Sequence, residues 1–328
     1  MSQSDLTTRD RTALRGFRTG DGPLLLDAWR RSLPADPLAP DRLRTLVLLD
    51  ANFDPEGLRV AVAGGRIVGA AYAVRRLTPL AGTDTEPEQG WIPFFFVDPA
   101  ARGRGLGRRL LTEALDWLRG HGRTRVDFAS YTPNYLLPGL DAETYPEAAG
   151  LLASLGFRTL YEAAAMDRRL VGYRLPDEIA RRRDDLTARG HRFATPADDD
   201  LVDLIVLAGT RFGADWARAI REACAAGLPA DRIVVARDPA GRLAGWAMHG
   251  TYEAALERFG PFGVREELRG TGLGKVLLHL VLERMRARGA HGAWFLWTGE
   301  DSPAGHLYRQ AGFTTTRVFR VLRREAAR

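Results

Sequence analysis

FFFVDPAARGRGLG at 94–107 runs three phenylalanines and a valine into the turn residues Asp98 and Pro99, then places glycine at 103, 105 and 107. The same arrangement returns 167 residues later as PFGVREELRGTGLG at 261–274, with Arg102 on Arg269, Gly105 on Gly272 and Gly107 on Gly274. In a chain of 328 residues, 45% of them hydrophobic, a repeat of this length predicts two domains of similar fold.

Aligning outward from the glycines extends the match. Each glycine run opens an amphipathic helix, with Leu106, Leu110, Leu111, Leu115 and Leu118 on one face of the first and Leu273, Val276, Leu277, Leu280 and Val281 on one face of the second. Gly120 and Gly289 close these helices. Upstream, 59–74 and 232–250 read as alternating hairpins turned by glycine. Downstream come strands at 125–130 and 293–298, then helices ending LLASLGF (151–157) and HLYRQAGF (306–313). Each half reads helix pair, hairpin, strand, glycine loop, helix, strand, helix, strand. The expected fold is α/β (α+β): two tandem domains, each a twisted, mostly antiparallel mixed sheet flanked by helices and splayed beside its glycine loop. The expected boundaries are 1–170 and 191–328, with HRFAT as the first strand of the second half and a charged connecting helix at 171–190.

Composition excludes several classes. No run approaches the roughly 18 apolar residues of a membrane span. The stretch 1–15 carries acidic residues and no apolar core, so no signal peptide is expected and the protein is read as cytoplasmic, with no membrane partner. The net charge of +6 rests almost wholly on arginine, Lys275 being the single lysine. Its densest run, 181–183, is followed at once by Asp184 and Asp185, the pattern of a solvated, ion-paired helix face and not of a nucleic-acid stripe. Cys224, the one cysteine, cannot form an intrachain disulfide and is read as a small buried hydrophobe; no Cys/His spacing suggests a metal.

A hydrophobic strand entering glycines and then a helix presents free backbone N–H groups at a positive helix end, which is an anion cradle. Three phosphate signatures compete for it. A Walker loop fails because Val276 replaces the metal-binding hydroxyl and Arg269 stands at the first glycine. A dinucleotide fingerprint fails because Arg108 and Lys275 stand at the third glycine. R-x-x-G-x-G, between a hydrophobic strand and an amphipathic helix, fits both copies, and a tight structural turn is the alternative to a cradle.

This twice-used hexapeptide, with LYRQAGF downstream of the second copy, resembles the GNAT superfamily of N-acyltransferases across nearly the whole chain. The resemblance implies acetyl-CoA as cofactor. Its pyrophosphate would lie on the amides of Arg102, Gly103, Arg104, Gly105, Leu106 and Gly107, and of Arg269, Gly270, Thr271, Gly272, Leu273 and Gly274. Val97 and Val264, which close the strands before the loops, belong to the same implied site. Arg104, Arg108 and Lys275 add charge there, or else lie on a solvated helix face.

The resemblance also implies a main-chain N–H on the central strand that polarises the thioester carbonyl, and a tyrosine that protonates the departing sulfur. Tyr308 matches that tyrosine; its alternative is a half-buried packing residue. Leu152 stands at the equivalent place in the first half and has no proton to give. Leu152 lies 50 residues after Arg102, whereas Tyr308 lies 39 after Arg269, so 11 are inserted around 132–147. Tyr131, Tyr135 or Tyr145 in or beside this insert could replace the missing donor. Glu257, expected on the strand before GPFGV, is the candidate base for the amine, with an ordinary exposed glutamate as its alternative. Glu300 and Asp301 could attract a cationic amine, whereas Trp294 and Trp297 are expected mainly in the core. The expected function is N-acetyl transfer to a primary amine of a small molecule by direct attack in a ternary complex, with the second half catalytic and the first degenerate. The alternative is an acyl-CoA-binding sensor or regulatory module without turnover.

Overall fold

Residues 12–132 and 134–325 are described in the computed structural model, so part of the stretch read for a signal peptide lies outside the described residues. The described chain forms two compact units. One holds the residues up to Pro79, Asp84–Glu162 and those from Phe319 on; the other holds Leu80–Thr83 and Ala163–Val318.

In the first unit, β1 (Ala13–Gly16), β2 (Leu58–Ala63), β3 (Arg66–Arg75) and β4 (Gln89–Val97) pair antiparallel in chain order. Gly64 and Gly65 turn the β2–β3 hairpin with φ of +54° and +74°, values that side-chain-bearing residues resist. Helices α1 (Asp21–Ser32) and α2 (Pro40–Leu43) precede the hairpin, and α3 (Leu106–Gly120) follows β4. The central strands are buried on both faces. Val60, Ala70, Tyr72 and Val74 pack with Leu25 and Trp29 of α1, while Ala61, Ala71 and Ala73 pack with Leu110, Leu111 and Leu118 of α3. The simple inside–outside alternation expected for the hairpin is therefore replaced by alternation between two cores.

Strand β5 (Arg125–Phe128) pairs parallel with β4 only from Gln89↔Arg125 to Ile92↔Phe128. Pro93, which has no N–H to donate, follows at once, and Ala129 and Ser130 take positive φ, so β4 runs on to Val97 without β5 beside it. That opening is the expected splay. The second unit repeats the plan with α5 (Asp177–Ala188), β7 (Arg192–Ala194), α6 (Asp200–Arg211), α7 (Ala214–Ala225), β8 (Ile233–Arg237), β9 (Leu243–His249), β10 (Phe259–Val264), α8 (Leu273–Ala287), β11 (Gly292–Phe295) and α9 (Pro303–Gln310). Its sheet order is β10-β9-β8-β7; β11 is joined to the start of β10 by the parallel bridge Arg258↔Trp294, and Phe259 meets the Phe295 ring beyond it. Here too two cores form: Ala244 and Ala247 pack with Leu277 and Val281 of α8, while Trp246 and Met248 pack with Leu204 of α6 and Ile220 of α7. The second hairpin is turned by 238–242, where the Asp238 carboxylate accepts from the backbone N–H of Ala240 and Arg242, and not by glycine alone.

Neither unit is one continuous stretch. Helix α4 (Pro146–Ser154) leads into β6 (Arg158–Arg169), whose end pairs antiparallel with β11, Phe295 opposite Met166, in the second unit. The end of β12 (Thr314–Glu325) returns to the first unit, where Leu322 lies opposite Phe128 of β5 and Arg323 binds Asp127 at 2.7 and 2.9 Å. The insert seals the same place: Leu140 exchanges backbone hydrogen bonds of 2.8 Å with Arg320, and Leu136 and Tyr131 are buried. Nine α-helices occur among the described residues, none long and apolar enough to cross a membrane. Cys224 is half-buried on α7, and burial pushes its thiol pKa up.

Two measurements check this architecture. Ending the chain at Val318 removes one of the two partners of β5, so the amides of Val126 and Phe128, which face β12, are expected to lose most of their hydrogen-exchange protection, while Arg125, bonded to the Glu88 carbonyl beside β4, keeps more of its own. The second concerns His279, buried on α8 with Nδ1 2.8 Å from the Tyr173 hydroxyl; burial, assisted by Arg168 and Lys275, lowers its pKa to about 4. The unfolded chain binds that proton near pH 6.5, so between pH 6.5 and 4 it takes up more protons than the folded one. Stability is expected to fall by about 1–3 kcal/mol as pH drops through this window, and His279→Gln to flatten that slope in urea titrations.

Candidate functional site

Both glycine loops adopt one conformation. Gly103 and Gly105 take φ of +77° and +74°, and Gly270 and Gly272 take +78° and +89°. Gly105 and Gly272 are the N-cap residues of α3 and α8, and no N-cap side chain bonds either helix. A long 3.4 Å bond from Leu273 N–H to Thr271 Oγ1 is the one side-chain contact given to these first-turn donors among the described residues. Most of those N–H groups therefore remain for an anion. At Gly103, Gly105 and Gly270 a Cβ would meet nothing within 4 Å, so the main chain itself is the approachable surface. Such a loop fits a pyrophosphate.

At Gly107 and Gly274 the missing side chain makes room for packing. A Cβ on Gly107 would lie 3.0 Å from Leu151 and 3.5 Å from Val97; one on Gly274 would lie 3.6 Å from Leu307 and 3.5 Å from Val264. These contacts bring α4 and α9 against the starts of α3 and α8, and they equate Leu151 and Leu152 with Leu307 and Tyr308 in space as well as in sequence.

The strands entering the loops expose one edge. Asp98 N–H bonds the Val68 carbonyl of β3, and Arg265 N–H bonds the Ala244 carbonyl of β9. Backbone groups alternate along a strand, so the preceding residues, Val97 and Val264, turn theirs to the opposite edge, where the splay has removed the neighbour. In the first unit the Val97 carbonyl there accepts from Arg102 Nε at 3.1 Å.

Charge is distributed differently around the two loops. Beside the first lies a cavity of about 530 Å³, lined among others by Arg31, Arg66, Arg104, Arg109 and Asp98. Arg31 binds Asp98 at 2.6 Å and, with the Ala100 N–H, overcomes the opposing effect of burial to hold that carboxyl below its ordinary pKa. Arg108 donates to Ser154 Oγ at 2.7 Å, linking α3 to α4. Arg31 and Arg66 come from α1 and β3, far from the loop in sequence, and no motif marks them. At the second loop Arg269 lies 3.7 Å from Glu266 and Lys275 is half-buried.

Tyr308 sits on α9 within an aromatic cluster, its ring centroid 4.5 Å from Phe295, 5.7 Å from Phe313 and 5.8 Å from Phe259. Burial raises its pKa, so the phenol keeps its proton across the neutral range. Leu152 is fully buried in the first unit, Tyr131 accepts from Asn52 Nδ2 at 2.7 Å, and Tyr145 donates to Asp36 at 2.7 Å. Glu257 lies in a turn before β10 and not on a strand. Its Oε1 accepts from the backbone N–H of His291 at 2.7 Å and of Gly292 at 3.0 Å, fastening β11 beside β10. Glu300 accepts from Thr315 at 2.8 Å; Trp294 lies under the Arg258 guanidinium at 5.4 Å, and Trp297 is half-exposed. Among the described residues no cluster of His, Cys, Asp and Glu could hold a metal ion.

The family described as Acetyltransferase (GNAT) family matches residues 24–135 and 200–313, one match on each glycine loop. A mycothiol acetyltransferase of Clavibacter michiganensis is 27% identical over 317 residues, 90% of this chain and 88% of that protein. Among solved structures, a tandem GNAT protein from the clavulanic acid biosynthesis pathway aligns over 97% of this chain and 99% of its own at 18% identity, with a TM-score of 0.65. A GCN5-related glucosamine N-acetyltransferase region of a fungal multi-domain β-N-acetylglucosaminidase aligns over 95% of this chain at 21% identity and a TM-score of 0.78; the chain spans 38% of that longer protein. With two family matches falling on two domains of one plan, the chain belongs to the GNAT family as an acetyltransferase with tandem GNAT domains.

Proposed function

We propose that the second unit transfers an acetyl group from acetyl-CoA to a primary amine of a small molecule, by direct attack in a ternary complex. The observation that carries this reading is the combination found in one unit: an uncapped glycine loop at the start of α8, and a tyrosine held in its protonated form on α9, the helix whose Leu307 packs on that start. The name of the Clavibacter relative supports a small-molecule acceptor.

When bound, acetyl-CoA supplies the acetyl group as a thioester. The amides of Arg269, Gly270, Thr271, Gly272, Leu273 and Gly274 would hold its pyrophosphate, with Lys275 adding charge. The backbone N–H at Val264, on the free edge of β10, would be available to the coenzyme arm. Tyr308 would hold the proton needed by the departing sulfur; a phenol of reference pKa about 10 protonates a thiolate of about 8.5 uphill, and more so with the Tyr308 pKa raised by burial, and a solvent proton would then restore the phenol. Glu257 has Oε2 left over from its two backbone bonds, and it reaches the amine through water or leaves that role to solvent. In the first unit the loop of Arg102, Gly103, Arg104, Gly105, Leu106 and Gly107, with Val97 and Arg108, offers a similar cradle. Leu152 favours binding without turnover there.

Gly272→Glu puts side-chain bulk, negative charge and a strained φ into the cradle, and isothermal calorimetry is expected to show loss of coenzyme A binding at the productive site together with loss of turnover. Gly105→Glu is expected to leave turnover in place; the reverse pattern would assign the chemistry to the first unit. Tyr308→Phe keeps the ring in its aromatic cluster, so coenzyme affinity should hold while kcat falls by up to about 10²- to 10⁴-fold. Full turnover of that variant under single-turnover conditions would remove the tyrosine from the chemistry.

A further inference from the structure

Helix α5 lays an arginine over the second loop that has no counterpart at the first among the described residues. Ile179 and Leu186 of α5 are buried in the cluster that contains Val276 and Leu277 of α8. Arg182 stands three residues after one anchor and four before the other, so it shares their helix face. Its stem crosses the loop: a Cβ placed on Gly272 would lie 3.0 Å from Arg182 Cδ and 3.2 Å from Nε, whereas one on Gly105 would meet nothing within 4 Å.

The neighbours of Arg182 are engaged. Arg181 donates to the Asp177 carbonyl at 3.3 Å and Arg183 binds Asp184 at 3.0 Å. Among the described residues Arg182 has neither an ion-pair partner nor a hydrogen-bond acceptor. A cation held against the positive end of α8, in a loop that also carries Arg269 and Lys275, is repelled in the free protein. An anion on the loop reverses the sign of that interaction, and a planar guanidinium offers paired N–H donors to phosphate oxygens.

We infer that Arg182 is a ligand for the coenzyme pyrophosphate in the second unit, a phosphate contact supplied by the connecting helix and absent from the first. This rests on the second loop being the coenzyme cradle. The adenosine 3′-phosphate of coenzyme A is the other group of the same chemistry, and 3′-dephospho-coenzyme A separates the two.

The test is calorimetry on the full chain carrying Gly105→Glu, so that the second loop alone is read. Arg182→Ala is expected to weaken coenzyme A about tenfold and 3′-dephospho-coenzyme A by the same factor, with Arg182→Lys recovering part of the loss. Arg181→Ala, which removes an equal charge from the same helix, is expected to leave both dissociation constants unchanged. Arg182 is exposed, and an unchanged melting temperature confirms that each variant is folded. Unchanged or tighter binding by Arg182→Ala overturns the inference, and a loss seen with coenzyme A but not with the dephospho form overturns the pyrophosphate assignment. If Gly272→Glu also leaves coenzyme A binding intact, the cradle itself is misplaced, so the two failures are distinct.

Discussion

Each helix that starts at a glycine loop does so without an N-cap side chain, and much of the architecture follows from that. First-turn N–H groups normally find an acceptor in the chain; leaving them open costs helix stability, of order 1 kcal/mol for a lost cap. Here α3 and α8 are held by burial instead. Leu106, Leu110 and Leu111 in one helix and Leu273, Val276 and Leu277 in the other are at most 5% exposed. Gly105 and Gly272 place the backbone in the left-handed turn that aims those donors outward, a conformation a β-carbon would strain.

The splayed strands complete the arrangement. A strand edge without a neighbour is a liability in most sheets, because its backbone groups invite another strand. In β4 and β10 the exposed edge adjoins the donor-rich loop, and Pro93 and Pro261 help to end the pairing by removing one ladder donor each. Two cores, one on each side of the central strands, keep these strands rigid despite the lost neighbour. The site is thus held by packing behind it, and not by hydrogen bonds across it.

The repeat is closely kept in the loops and loosely kept around them. Leu152 and Tyr308 occupy equivalent places on α4 and α9, yet one is an aliphatic side chain in a mixed core and the other a ring in an aromatic cluster. The first loop adjoins a cavity lined by four arginines with Asp98, while the second lies beneath the stem of Arg182. Shared backbone geometry with different side-chain surroundings is what lets two copies of one plan take different roles.

Spacing in the chain was enough to establish the repeat, the loops and the helices after them, because glycine at alternate positions and leucine at helical intervals express local constraints on φ and on burial. It marked Tyr308 and Leu152 as equivalents for the same reason. Which strand closes which unit was not legible: β6 and β12 carry similar patterns, and their pairing with β11 and β5 is decided by long-range register that no local signal encodes. Nor was the occupation of Glu257, whose carboxylate meets the amides of His291 and Gly292 only when β11 folds beside β10. Arg182 read in the sequence as one of three arginines on a solvated helix. Only the burial of Ile179 and Leu186 against α8 turned that helix so that its middle arginine lies on Gly272.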